Sequence, residues 1–327
     1  MNIMNKKVFV TRKIPDVGIT MLRDRGYEVV VYPKDRVPTQ KEIIYFLKKQ
    51  NYDAVLSLLT DKIDVRVFES APSVKIYANY ATGFDNIDLV EAKKKNIVVT
   101  NAPAPQTAES VAEHTVALML ALAARIVEAD EFVRRKKYKG WGPMNFVGMD
   151  ILGKTLGLIG AGRIGERVAY YAKGLGMSVV YYDIARNEKI EKECNATYCE
   201  TPEGVLSGSD VVSLHVPLMD STKHLINADK LKLMKPTSFL INTSRGAVID
   251  EIALEKALKN GVIAGAGLDV FEFEPTISGG LRKLQNVILT PHIASASIET
   301  RNQMAEIAAN NIIDFFEGRP PRNQVNT

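Results

Sequence analysis

Gly160-Ala161-Gly162-Arg163-Ile164-Gly165 follows Lys154-Thr155-Leu156-Gly157-Leu158-Ile159, an apolar run of strand length, and precedes Arg167-Val168-Ala169-Tyr170-Tyr171-Ala172-Lys173, which has helical spacing. Strand, glycine-rich turn and helix in that order make up a dinucleotide-binding unit. The glycines answer different demands. Gly160 takes the angles of a tight turn, Gly162 removes a side chain where a pyrophosphate would approach the main chain, and Gly165 lets helix and strand pack closely. Unpaired N–H groups at the start of the helix would meet the phosphates.

Such a motif alone is also what a glycine-rich structural turn looks like, so its surroundings matter. A second apolar strand, Ser178 to Tyr182, ends in Asp183, 18 residues beyond Gly165, near the spacing of a ribose-binding acid. A carboxylate there accepts hydrogen bonds from ribose hydroxyls and repels a 2′-phosphate, which favours NAD over NADP. Arg186 lies close enough in sequence to reach a phosphate, so NADP stays open.

The 327 residues suggest two domains at roughly 150 residues each. Charged residues are 24%, hydrophobic residues 46% and the net charge +4, an ordinary globular balance. The basic runs Lys93-Lys94-Lys95 and Arg134-Arg135-Lys136-Lys137 read as solvated helix faces, which argues against a nucleic-acid partner. Cys194 and Cys199 match neither a redox pair nor a zinc knuckle, and no metal is expected. With no signal peptide or membrane span in view, the expected location is the cytoplasm.

Up to about residue 100, apolar runs at Val8 to Val10, Tyr27 to Val31, Ala54 to Leu58, Val74 to Ala78 and Ile97 to Thr100 alternate with amphipathic stretches. That alternation predicts a parallel sheet with helical crossovers. A long helical pattern runs from Thr107 to about Lys137. After the glycine motif, strands are predicted at Asp210 to His215, Ser238 to Asn242, Ala264 to Leu268 and Val287 to Leu289, with a helix from Asp250 to Asn260 closed by Gly261. A last helix from Ser297 to Glu317 is expected to return the chain to the first domain. The fold class is therefore α/β, with two doubly wound parallel sheets: a Rossmann NAD-binding domain over 102–291 inserted in a flavodoxin-like substrate domain of 1–101 and 292–327.

Hydride transfer to a ketone requires a proton donor and an anchor for the substrate anion. Of the four histidines, His114 lies within an apolar helical pattern, His224 sits in a polar turn and His215 ends a strand. His292, in Thr290-Pro291-His292-Ile293-Ala294-Ser295, lies between a strand and a helix. A carboxylate beside it would favour the imidazolium and fix its orientation. Glu274 is one candidate partner, and spacing leaves Glu272 open as another. Arg245, in Thr243-Ser244-Arg245-Gly246, follows a strand, at the sheet edge where open α/β folds bind ligands. A guanidinium can grip a carboxylate by two hydrogen bonds.

Taken in order, Gly160 to Gly165, Asp183, Thr243 to Gly246, Gly267-Leu268-Asp269-Val270-Phe271, Glu274-Pro275 and Pro291-His292 resemble the D-isomer-specific 2-hydroxyacid dehydrogenases over nearly the whole chain. Leu58 to Asp64 and Ala78 to Asp88 look especially like the glyoxylate reductases of that family. The resemblance implies that Arg245 anchors the substrate carboxylate and polarises its ketone, that His292 is the general acid in reduction, and that Glu274 orients His292. It implies main-chain N–H groups around Thr82 and Gly83 at the carboxylate, and Leu58 and Tyr80 shaping the substrate pocket. Trp141 reads as packing or as a contact from a partner subunit.

For the cofactor, the resemblance implies Arg163 and Ile164 at the pyrophosphate, Asp183 at the ribose, Val216 near the adenosine, and Thr243 and Asp269 near the nicotinamide. It further implies a homodimer through the nucleotide domain, an active cleft between domains, hinge helices near Thr107 and Ser297, and no C-terminal regulatory domain. The activity expected is NAD(H)-linked reduction of a small 2-oxo acid, glyoxylate or hydroxypyruvate. Alternatives are a dehydrogenase for D-3-phosphoglycerate or D-lactate, and an NAD-sensing protein like the corepressors that resemble this family.

Overall fold

Val8 and Val10 enter one apolar cluster while Phe9, between them, enters another, as expected of a strand covered on both faces. The computed structural model, which describes residues 6–326, builds such strands into two parallel sheets. The chain forms two compact units, Met1–Thr107 with Ala296–Thr327, and Ala108–Ser295.

In the first unit β1 (Lys7–Val10), α1 (Asp16–Asp24), β2 (Glu28–Val31), α2 (Gln40–Lys49), β3 (Ala54–Leu58), α3 (Val65–Ser70), β4 (Ile76–Tyr80), α4 (Leu89–Lys94) and β5 (Val98–Thr100) alternate, and the sheet order is β2-β1-β3-β4-β5. This is the flavodoxin-like order. Helix starts are marked by side-chain caps, Thr39 with Glu42 as a capping box on α2 and Asp88 on α4. The chain's last segment joins this unit. Asn101 N–H donates to Asn323 O at 3.1 Å and Val325 N–H to Val99 O at 2.9 Å, so the tail covers the edge at β5.

The second unit holds α5 (Gln106–Ala123, starting just before it), α6 (Ile126–Arg134), β6 (Thr155–Ile159), α7 (Arg163–Gly174), β7 (Ser178–Tyr182), α8 (Glu188–Cys194), β8 (Thr197–Tyr198), α9 (Pro202–Gly208), β9 (Val211–Leu214), α10 (Ala228–Leu231), β10 (Phe239–Asn242), α11 (Glu251–Lys259), β11 (Gly265–Leu268) and β12 (Val287–Leu289). Its sheet order is β12-β11-β10-β9-β6-β7-β8, a Rossmann arrangement extended by β12. Chain direction through the sheet reverses between β6 and β9, and ligands bind at the carboxyl ends of strands beside such a point. The returning helix α12 (Ile298–Phe316), capped by Ser297, packs in the first unit, where its Arg301 carbonyl accepts the Tyr80 hydroxyl at 2.9 Å.

Two expectations about elements need correction. The single helical pattern from Thr107 to Lys137 is two helices, because Arg125 adopts left-handed angles (φ 55°) and donates to Glu128 of the next turn. Before the break α5 buries Leu118, Met119 and Leu122, whereas α6 buries nothing. The strand expected over Val74 to Ala78 runs two residues later, to Tyr80, because the polar Asn79 is fully buried with its amide satisfied by Ser57, Gly83 and Asn86.

His215 follows β9. It shares a 2.9 Å hydrogen bond with Ser213 through Nε2, while its shielded Nδ1 has no partner among the described residues. Burial pushes its pKa down to about 3. The unfolded chain binds a proton below about pH 6.5 that the folded chain refuses, so stability drops as pH falls from there toward 3, by up to about 1.4 kcal/mol per pH unit. Between about pH 7 and pH 5 the urea midpoint of the wild type should decline more steeply than that of His215→Gln. Equal slopes would show that His215 is protonated without penalty.

Candidate active site

The loop after β6 meets the loop after β9. Gly160 has φ 97°, and a Cβ there would lie 2.7 Å from the His215 carbonyl. At Gly165 a Cβ would lie 2.2 Å from Gly160 O, so that glycine lets α7 close onto the turn. Gly162 differs, since a Cβ on it would meet nothing within 4 Å. Its lack of a side chain answers no internal contact. An open main-chain surface at the start of a 12-residue helix fits a bound pyrophosphate. Arg163 is exposed beside it, and Ile164 packs partly on the core.

Asp183 stands at the end of β7. Its Oδ2 accepts from Ala161 N–H at 2.7 Å and its Oδ1 from Ile184 N–H at 2.7 Å. Asn187 Nδ2 donates to Ala161 O at 2.7 Å, so the N–H and the carbonyl of Ala161 are both held. Val216, just beyond His215, packs against the apolar cluster of β9 and β10.

The loops at the carboxyl ends of β10, β11 and β12 carry Arg245, Glu274 and His292. After β10, Thr243 is buried and bonds Thr115 of α5 at 2.9 Å. Asn242 braces the next turn, accepting from Ser244 N–H at 3.0 Å and donating to Arg245 O at 2.9 Å. Gly246 then abuts the loop after β11, where a Cβ would fall 1.9 Å from the Phe271 carbonyl carbon. This close approach brings Arg245 near enough to Glu274 for its charge to help lower that carboxyl.

After β11, Asp269 is 1% exposed and its carboxylate accepts from Ile293 N–H and Ala294 N–H at 2.8 Å and from the Thr290 hydroxyl at 2.6 Å. Its carbonyl accepts from His292 N–H at 2.8 Å. His292 sits at φ 56° and its Nδ1 lies 2.9 Å from Glu274 Oε2, while Glu274 Oε1 accepts from Phe271 N–H at 3.0 Å. Burial alone would raise the Glu274 carboxyl, but the hydrogen bond and charge of His292 outweigh it and hold the group below the usual carboxylate range. The choice that spacing left open is decided here. Glu272 pairs instead with His224, 2.6 Å from its Nε2.

A histidine held through Nδ1 by a carboxylate presents Nε2 for proton transfer. The same unit carries a glycine loop open to a dinucleotide. A family model described as D-isomer specific 2-hydroxyacid dehydrogenase, NAD binding domain, matches residues 116–294. The chain belongs to the D-isomer specific 2-hydroxyacid dehydrogenases. It is 50% identical to a glyoxylate reductase of Korarchaeum cryptofilum over 99% of this chain and 96% of that one. It is 49% identical to a glyoxylate reductase of Thermococcus litoralis over 99% of this chain and 97% of that one. Among solved structures, an NADPH-dependent glyoxylate/hydroxypyruvate reductase of Sinorhizobium meliloti, in complex with NADP and malonate, aligns at TM-score 0.85 and 32% identity over 98% of this chain and 96% of that one. This dehydrogenase therefore uses NAD(P), and no group of metal-ligating side chains was found among its described residues.

In the first unit, Leu58 and Tyr80 end the adjacent strands β3 and β4, and Thr82 and Gly83 follow. Tyr80 is 6% exposed with its hydroxyl on Arg301. The carbonyls of Thr82 and Gly83 accept from Asn101 at 2.7 Å and Asn79 at 3.0 Å. Sequence reasoning passed over the polar residues that fix these loops. Asp61 accepts from Leu58 N–H at 2.7 Å and Thr11 at 2.5 Å, and Asn86 donates to Leu58 O at 3.1 Å and Asp61 O at 2.9 Å. The signal available was a cluster of acids and amides directly after two apolar strands.

The two glycines give opposite expectations. Gly165→Ala drives a Cβ into a backbone carbonyl and should destabilise the cofactor-free protein by about 1–3 kcal/mol. Gly162→Ala should cost at most about 1 kcal/mol of helix-start stability and weaken NADH binding instead. Thermal melts without cofactor and NADH titrations of both variants check this. A Gly162→Ala protein that binds NADH normally would remove the pyrophosphate from that position.

Proposed function

We propose that this dehydrogenase reduces a small 2-oxo acid, glyoxylate or hydroxypyruvate, to the D-2-hydroxy acid with NADH. The observation that carries the reading is the 2.9 Å Nδ1 contact of His292 with Glu274, set on loops that abut the Arg245 turn. The names of the full-length relatives support the substrate class.

When bound, the dihydronicotinamide supplies a hydride to the carbonyl carbon of the substrate. Arg245 grips the substrate carboxylate and polarises the adjacent ketone. His292 gives its Nε2 proton to the ketone oxygen as negative charge builds there, and Glu274 keeps the ring turned for that transfer. Asp183 receives the ribose hydroxyls, and the Gly160 to Gly165 turn with Arg163 and Ile164 receives the pyrophosphate. Val216 borders the adenosine. Thr243 and Asp269 act near the nicotinamide through the loops they hold.

Purified protein should oxidise NADH when glyoxylate or hydroxypyruvate is added, and His292→Ala should lower kcat by about 10² to 10⁴. NADH binding without turnover of any small 2-oxo acid would overturn the substrate reading, and an unchanged rate in the variant would take His292 out of the proton transfer.

The same proposal includes a homodimer formed through the nucleotide unit. Its support is the exposed apolar series Ile126, Val133, Trp141, Met144, Val147 and Leu152, with Trp141 84% and Met144 80% exposed, more than a solitary surface leaves in one stretch. Light scattering should give about twice the chain mass of 36.1 kDa, and Trp141→Glu should shift the population toward monomer. A wild-type protein that is monomeric at micromolar concentration would refute the dimer.

A further inference from the structure

Arg186, Lys189 and Lys192 are the cations of the loop and helix that follow Asp183, and the two nearest to it are already paired. Lys189 meets Glu166 at 2.5 Å. Arg186 is held more completely. Its Nε donates to Glu191 Oε1 at 3.0 Å and its Nη2 to Glu191 Oε2 at 2.9 Å, a two-bonded grip, and its guanidinium lies over the Tyr198 ring, 5.3 Å from the centroid.

The acceptor is itself anchored from below. Tyr181 is fully buried and donates its hydroxyl to Glu191 Oε1 at 2.5 Å, while accepting from Asn187 N–H at 2.8 Å. Burial, followed by that hydrogen bond, raises the Tyr181 phenol to about 12, so it remains a donor. The hydrogen bonds of Arg186 and Tyr181 keep Glu191 below the usual carboxylate range.

We propose that Glu191 is a specificity-determining residue that restrains NADP(H) binding by holding Arg186, the cation three residues past Asp183, away from a 2′-phosphate. The inference rests on the reading that the ribose of the cofactor lies at Asp183. A guanidinium exposed at its surface but bonded along two N–H groups has its best phosphate-binding edge occupied. For the Nε–Nη2 edge of Arg186 to receive a 2′-phosphate, both charge-assisted bonds to Glu191 must break, and with them in place the Glu191 carboxylate adds to the repulsion from Asp183 at any other edge. NADH asks for none of this, since ribose hydroxyls need only an acceptor. Glu191 touches neither the glycine turn nor the reacting atoms, so it acts through Arg186.

The test is direct binding of NADH and NADPH by calorimetry, without substrate, on the wild type, Glu191→Gln, Glu191→Ala, Arg186→Ala and the Glu191→Ala, Arg186→Ala double variant. Glu191→Ala should tighten NADPH about tenfold, equivalent to ~1.4 kcal/mol, with NADH little changed, and Glu191→Gln should do so partly. Arg186→Ala should leave the wild-type preference as it is, and the double variant should lose the gain. An unchanged NADPH-to-NADH ratio in both Glu191 variants, or a gain that survives without Arg186, would overturn the proposal, as would a wild type that binds both nucleotides equally. Should Glu191→Ala fail to fold, Glu191→Gln, which keeps the side-chain shape, decides. Failure to turn over glyoxylate would overturn the substrate reading and leave these ratios standing, whereas failure to bind either nucleotide would overturn both.

Discussion

A carboxylate sealed from water must be fully hydrogen-bonded or the fold loses several kcal/mol to its desolvation, and Asp269 meets that demand by gathering the strand ends around itself. Its two oxygens take the Thr290 hydroxyl and the N–H groups of Ile293 and Ala294, and its carbonyl takes the His292 N–H. Four of the five residues from Thr290 to Ala294 are thereby tied to the end of β11. His292 is left in a backbone conformation, φ 56°, that few side chains adopt without such support. The His292–Glu274 contact depends on this tether, because the ring reaches Glu274 from that backbone position. His114, 3.1 Å from Thr290 and 3.6 Å from Asp269, extends the same polar cluster to α5.

Two histidine–glutamate pairs share the loop after β11, and their division of labour shows what local geometry adds to spacing. Glu272 and Glu274 are both flanked by apolar residues and both precede the proline turn. Glu272 turns to His224 and, through Oε2, to Glu251 N–H at 3.2 Å, while its own N–H donates to Glu251 at 2.9 Å. That reciprocal bond pins the root of the loop to α11. Glu274, past the pin, is the acid that faces His292. A structural pair thus holds the base from which the other pair extends.

Much of the fold was legible because strands covered on both faces must be apolar throughout. Val211 to Leu214 and Phe239 to Asn242 are buried throughout and apolar but for Ser213 and the closing Asn242, and β12 and β7 fall where their residues alone put them. Legibility failed where a polar residue was buried and satisfied, as at Asn79, or where one left-handed residue, Arg125, divided a continuous helical pattern. At the candidate site, Arg245 and His292 were expected just beyond strands, and they lie on the loops after β10 and β12. Glu274 could not be separated from Glu272 by spacing. The grip of Glu191 on Arg186 was invisible for a related reason: its geometry depends on the buried Tyr181, which the sequence shows only as another strand residue.

The arrangement around Ala161 bears on how cofactor preference can change in such a site. Beyond its proposed place at the ribose, Asp183 has a structural task, because its Oδ2 holds the Ala161 N–H at 2.7 Å while Asn187 holds the carbonyl of the same residue. Ala161 lies between Gly160, which is wedged against His215, and Gly162, beside which a Cβ would meet nothing. On the proposed cofactor reading, replacing Asp183 to admit a 2′-phosphate would also free the turn at the pyrophosphate, and affinity for both cofactors would fall together. Arg186 and Glu191 reach that turn only at second hand, through Tyr181 and Asn187. On the proposed reading this makes the surface pair, rather than the acid at the strand end, the point at which NAD and NADP use can diverge with the bond between Asp183 and Ala161 kept.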